Sequence, residues 1–109
     1  MLPPRLKRET KPGMPKRIRC PAHLKWVREH ACCVPRCNGA PSEAAHVRTG
    51  TDGGTGLKPS DSHVISLCQY HHAIQHRMGE GPFETKYFID MKALAREFAD
   101  KSPHRRKLR

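Results

Sequence analysis

Two short clusters of soft metal ligands, about thirty residues apart, constrain this chain more than any other feature. Cys32, Cys33 and Cys37 form the first, and Cys68 with His71 forms the second. The first offers a C-x4-C or C-x3-C knuckle, the second a C-x2-H pair. Two loops that each supply two ligands suit tetrahedral zinc. Spacing alone leaves open which of Cys32 and Cys33 ligates, and it leaves Cys20 spare. Buried, inert cysteines are the competing reading. An odd total of 5 Cys argues against a complete disulfide framework. A metal also answers a shortage. Only 36% of the 109 residues are hydrophobic, so the core is thin, and small domains commonly add a metal to it.

The charge is unevenly placed. Residues 1–19 carry +6, residues 101–109 carry +5, and residues 20–100 balance nine basic against nine acidic side chains. Pro3, Pro4, Pro12, Gly13 and Pro15 break up the first stretch, which reads as a basic disordered arm. Residues 20–100 then form the folded domain and 101–109 a basic tail. Cationic arms meet polyanions through phosphate contacts and counterion release. DNA is therefore the expected partner, with Arg17, Arg19, Arg105 and Arg106 among the contacts. No membrane is involved, because no window approaches the ~18 consecutive apolar residues of a span. The basic N-terminus lacks the apolar run of a signal peptide, which places the chain in a cytoplasm.

Along the domain, Pro21 suits the first position of a helix, and Leu24, Val27 and Ala31 keep helical spacing to about residue 30. Trp26 reads as the core anchor of that helix. Residues 43–48 (EAAHVR) fit a strand, and HVISL, residues 63–67, fits a second. The Gly-rich stretch 49–61 lacks the Lys-Ser/Thr of a phosphate-cradling loop and reads as flexible connection. Residues 68–77 turn into a helix, which Gly79, Gly81 and Pro82 break. Tyr87, Met91, Leu94, Ala95 and Phe98 recur at helical spacing, giving one amphipathic helix over 84–100.

Histidines are concentrated between residues 46 and 76. His72 and His76 stand at i and i+4, so on a helix both rings reach one cation. His46 lies on the first strand and His63 opens the second. The string from AAHV (44–47) through the Gly-rich loop to HVISLCQYHHAIQH (63–76) resembles the HNH endonucleases. It is closest to the phage-borne branch that includes the recombination-enhancement nuclease. The resemblance covers roughly residues 21–78. It implies an α+β chain with a small ββα-metal core, a structural zinc knuckle and flanking helices, encoded by a bacterium or a phage.

Carried over residue by residue, the resemblance makes His46 the general base. His63 falls where the family's central Asn orients that base, and His72 and His76 hold a catalytic divalent cation such as Mg²⁺ or Mn²⁺. Cys68 and His71 form the second half of the zinc knuckle, and Cys32 with Cys37 the first, with Cys33 the alternative to Cys32. Ala45 departs from the pattern, since many relatives carry a metal ligand there. The cation then has two protein ligands and keeps open positions for water and phosphate. Arg48, just after the base, is placed to touch a phosphate, with solvated exposure as the plain alternative. Asp61 reads as a turn residue or as an extra ligand or orienter.

The expected activity is metal-dependent hydrolysis of DNA phosphodiester bonds, with a neutral histidine as base at physiological pH. Two other readings compete with it. One is a non-catalytic zinc-containing nucleic-acid-binding module; the other is an adaptor that docks on a recombination or phage packaging protein.

Overall fold

The computed structural model of the chain describes residues 2–3, 17–37, 39, 41–53 and 58–108. Helix α1 (Pro21–Arg28) starts on the proline, whose missing N–H costs nothing in a first turn, and ends on Lys25 and Arg28. It turns His23 and Val27 inward. Trp26 is only half-buried, so the anchor of this helix is Val27, which is fully buried.

Strands β1 (Ser42–His46) and β2 (Val64–Cys68) pair antiparallel, with Ser42 opposite Cys68 and His46 opposite Val64. Every residue of β2 is buried, which explains its nearly unbroken VISLC run. The polar exception is Ser66, whose hydroxyl donates to the Ala31 carbonyl at 2.7 Å. The Cys33 N–H donates to the Ser66 carbonyl at 2.8 Å, so residues 31–33 lie along β2. Helix α2 (Gln69–Met78) follows β2 without a loop and stops at Gly79. Helices α3 (Glu80–Tyr87) and α4 (Met91–Lys101) complete the chain, with a 3₁₀ turn over Arg105–Leu108. Phe83, Met91 and Ala95 close the core over Ile65, Leu67 and Ile74. The described residues form a small α+β fold with a two-stranded sheet and four α-helices. Among the described residues no helix is long and apolar enough to cross a membrane.

Each expected element is present within two residues of its expected ends, apart from the helix expected over 84–100. That stretch divides at Phe88, which takes a left-handed conformation (φ 56°). Asp90 starts α4 by accepting from the Ala93 N–H at 3.1 Å, and Glu84 accepts from the Met91 N–H at 2.9 Å. Two carboxylates thus fix a corner inside a continuous apolar pattern. Gly81 and Pro82 do not interrupt the chain, because both sit in the first turn of α3, where a proline is tolerated.

The two terminal stretches also differ from expectation. Residues 17–19 lie against the 58–61 loop: the Ile18 N–H donates to Ser60 Oγ, and the Asp61 N–H donates to the Ile18 carbonyl. Residues 1 and 4–16 of the expected arm lie outside the described residues. After α4, Ser102 and Leu108 are buried, and Ser102 Oγ bonds His23 Nδ1 at 2.9 Å. Residues 101–108 therefore belong to the fold, because an apolar leucine and a buried histidine both need them there.

Candidate metal centre and histidine cleft

The knuckle residues meet at the start of α2. Sγ of Cys32, Cys37 and Cys68 and one ring nitrogen of His71 all lie within 4.8 Å of one another. Cys37 and Cys68 are 3.8 Å apart, His71 Nδ1 lies 3.6 Å from Cys32, and it lies 3.2 Å from Cys68. Bonds of about 2.3 Å to sulfur and about 2.1 Å to nitrogen set tetrahedral edges of roughly 3.5–3.8 Å. The four groups could hold zinc with little movement. Cys33 is excluded from the cluster because its sulfur is engaged by Ser66 Oγ at 3.4 Å. Cys20 is buried at the start of α1 and takes no part.

The backbone favours the ligating form at one of the three thiols. Gly39 N–H donates to Cys37 Sγ at 3.3 Å, and this bond holds the Cys37 thiol below its ordinary range. Cys68 caps α2, its sulfur accepting from the His71 N–H at 3.4 Å. Burial, then Lys86, lowers the His71 imidazole and favours the neutral, ligating form. Burial pushes the Cys32 thiol up to about 11, so a bound metal would have to displace that proton. Gly39 is needed here for space. A Cβ at that position would lie 2.7 Å from Cys68 Cβ and 3.2 Å from Cys37 Sγ.

The histidines converge one turn further along α2. His72 and His76 bring their Nε2 atoms to 3.1 Å. Two nitrogens about 2.1 Å from one cation stand about 3.0 Å apart at a right angle, so this pair could share a cation. His72 Nδ1 bonds Glu43 Oε1 at 2.8 Å, which leaves Nε2 as the ligating atom. A carboxylate behind a histidine is the usual support of a metal-binding imidazole. Glu43 was not legible as a site residue, since 29 positions separate it from His72. The signal lies in the hairpin register, which sets Glu43 opposite Leu67, just before β2 runs into α2.

His46 leaves the end of β1 and lines a cleft of about 300 Å³ with Arg48, Thr49, Gln75, His76 and Glu80. Its Nε2–H donates to the buried Asp61 carboxylate at 3.0 Å. Nδ1 is then the nitrogen with a free lone pair. The orienter expected from the sequence, His63, instead sits 3.7 Å from Asp52. The reason is the turn at 61–63, which points Asp61 inward and His63 to the side of the fold. Asp61 Oδ2 also accepts from the Cys20 N–H at 2.8 Å, so the His46 ring is tied through Asp61 to the start of α1.

The expected cationic contacts divide. Arg48 is exposed beside His46, and its backbone N–H is held by Glu80 at 2.7 Å. Arg105 and Arg106 are exposed on the 3₁₀ turn. Arg17 and Arg19 instead satisfy loop carbonyls. Arg17 donates to Asp52 O at 2.6 Å, and Arg19 to Pro59 O and Lys58 O. The Gly-rich loop is correspondingly less free than its composition suggests, with Asp52 accepting from Ser60 N at 2.8 Å and Glu80 accepting from Thr49 N at 2.7 Å. Residues 54–57 of that loop lie outside the described residues.

The model of one family, described as protein of unknown function (DUF968), matches residues 10–104. No curated protein and no solved structure matches the chain.

Proposed function

The chain belongs to the DUF968 family, and we propose that it is a metal-dependent endonuclease of the HNH type that hydrolyses DNA phosphodiester bonds. The observation that carries this reading is the pairing of two differently prepared imidazole sets on one strand–strand–helix unit. His46 is oriented by Asp61 with Nδ1 free, while His72 and His76 present two Nε2 atoms 3.1 Å apart. His46 and His76 line the same cleft. A base and a cation holder side by side are what phosphodiester hydrolysis requires.

In this reading His46 Nδ1 takes the proton of the attacking water, and Asp61 steadies the imidazolium that results. A divalent cation, when bound, supplies Lewis-acid stabilisation of the charge that builds on the phosphate and the leaving oxygen. Glu43 keeps the His72 ring turned for that task. Arg48 contacts the phosphate from the rim. The centre of Cys32, Cys37, Cys68 and His71 holds zinc and fixes the start of α2, which sets where His72 and His76 stand.

One observation favours the second reading, a zinc-containing module that binds nucleic acid without cutting it. Among the described residues the only set of three or more ligand groups within 4.8 Å is the Cys/His centre, so the histidine pair lacks a third protein ligand. Plasmid nicking separates the two. Zinc-loaded protein is incubated with supercoiled DNA, with and without added Mg²⁺ or Mn²⁺. Cation-dependent nicking supports the nuclease, whereas retardation without nicking in every cation supports the binding module.

A further inference from the structure

The turn that follows His46 has two sides. Arg48 and Thr49 line the histidine cleft, while Gly50 and Thr51 line a second cleft of about 250 Å³ against α4. Lys92 and Arg96 stand on the α4 wall, with Ser62 and His63 on the floor. We propose that this second cleft is a phosphate subsite, which seats a phosphodiester of the nucleic-acid backbone next to the one being cut.

Lys92 and Arg96 are separated by four residues, so both project from one helix face. Both are exposed, and neither forms an ion pair among the described residues. Asp100, one turn beyond Arg96, forms no ion pair with it among the described residues. Residues 20–100 are neutral in total, so two adjacent unpaired cations are a local segregation of charge rather than a general basicity. Asp52, which lies 3.7 Å from His63 on the floor, is already engaged by Ser60 N and Ser60 Oγ. Thr51 and Ser62 add hydroxyls that suit phosphate oxygens.

The Lys92 ammonium is also placed by backbone shape. Gly50 takes a φ of +70°, and a Cβ there would lie 2.7 Å from Lys92 Nζ. The bare glycine lets the lysine lie across the turn that divides the two clefts. Glu80 holds that turn by accepting from Arg48 N and Thr49 N. A strand leaving the histidine cleft over this short ridge meets Lys92 first and Arg96 next.

The inference rests on the nucleic-acid reading above, and the test keeps the two apart. Lys92→Gln/Arg96→Gln is made in the His46→Ala full-length chain, zinc-loaded, so that DNA stays intact. Binding to a fluorescent duplex is measured over a salt series. The magnitude of the log–log salt slope should fall by about 0.9 for each phosphate that the double variant no longer neutralises. Lys25→Gln/Arg28→Gln, on the exposed face of α1, should leave the slope unchanged. If the His46→Ala parent binds DNA and the α4 pair leaves its slope unaltered, the subsite is refuted alone. If the parent binds no DNA, the nucleic-acid reading and the subsite both fall.

Discussion

Asp61 joins three parts of the molecule through one buried carboxylate. It accepts from His46 Nε2–H, from the Cys20 backbone and, at 3.5 Å, from Arg19. Asparagine at this position has one accepting and one donating end. Turned to keep the Cys20 bond, it presents an N–H₂ to His46 and forces the proton onto Nδ1. Turned the other way, it faces a donor with a donor. Asp61→Asn should therefore slow cleavage by about 10²–10⁴-fold while zinc content is retained, as is typical when general-base function is lost. Wild-type cleavage by a folded Asp61→Asn variant would remove Asp61 from the mechanism. The sequence made Asp61 visible only as one option among several, because a Ser-Asp-Ser turn is common chemistry. Its role depends on burial and on a partner 15 residues away. His46, His72 and His76 were legible for the opposite reason, since their meaning lies in local spacing on a strand and a helix.

At the scale of elements, the link between β2 and α2 carries the site. Cys68 ends the strand and caps the helix, so whatever fixes its sulfur fixes the first turn of α2 and the histidines after it. Gly39→Ala drives a methyl group to 2.7 Å from Cys68 Cβ and should weaken zinc binding, read as earlier loss of zinc to a competing chelator. Cys33→Ser should keep the zinc, because Cys33 faces Ser66 rather than the cluster. Equal zinc retention by both variants would mean that the close approach of Gly39 is unimportant. The ligand spacing was readable in the sequence, but the choice between Cys32 and Cys33 was not. That choice follows from residues 31–33 lying along β2, a long-range pairing with no local signature. The corner at Phe88 is hidden in the sequence for a related reason. Apolar spacing continues through it, and only the capping carboxylates Glu84 and Asp90 mark the break.

Over the whole molecule, charge counting reads the chain ends as disordered cationic arms, while packing places part of each in the fold. Deleting residues 102–109 removes Leu108 from its buried seat and Ser102 from His23. Burying a leucine side chain contributes about 1.5–3 kcal/mol, so the deletion should lower the melting temperature by several degrees. An unchanged melt would restore the picture of a free tail. His23 adds a pH dependence. Burial, then His104, lowers its folded pKa below the ordinary value near 6.5. The unfolded chain takes up a proton below that pH while the native state resists it. Stability is thus full above pH 6.5 and falls as the pH drops through it. Acid also strips the Cys/His centre, so the comparison is with His23→Gln, whose melting temperature should fall less steeply from about pH 7.5 to about pH 5.5.

The central claim is that His46 is the base of a cation-dependent cleavage reaction. Single-turnover nicking of supercoiled DNA by zinc-loaded wild type and His46→Ala, in added Mg²⁺ or Mn²⁺, tests it most directly. The account predicts that His46→Ala cuts about 10²–10⁴-fold more slowly, with unchanged zinc content and DNA affinity, because a general base acts mainly in the transition state. Equal rates for the two proteins, or no nicking by the wild type in any cation, would contradict it.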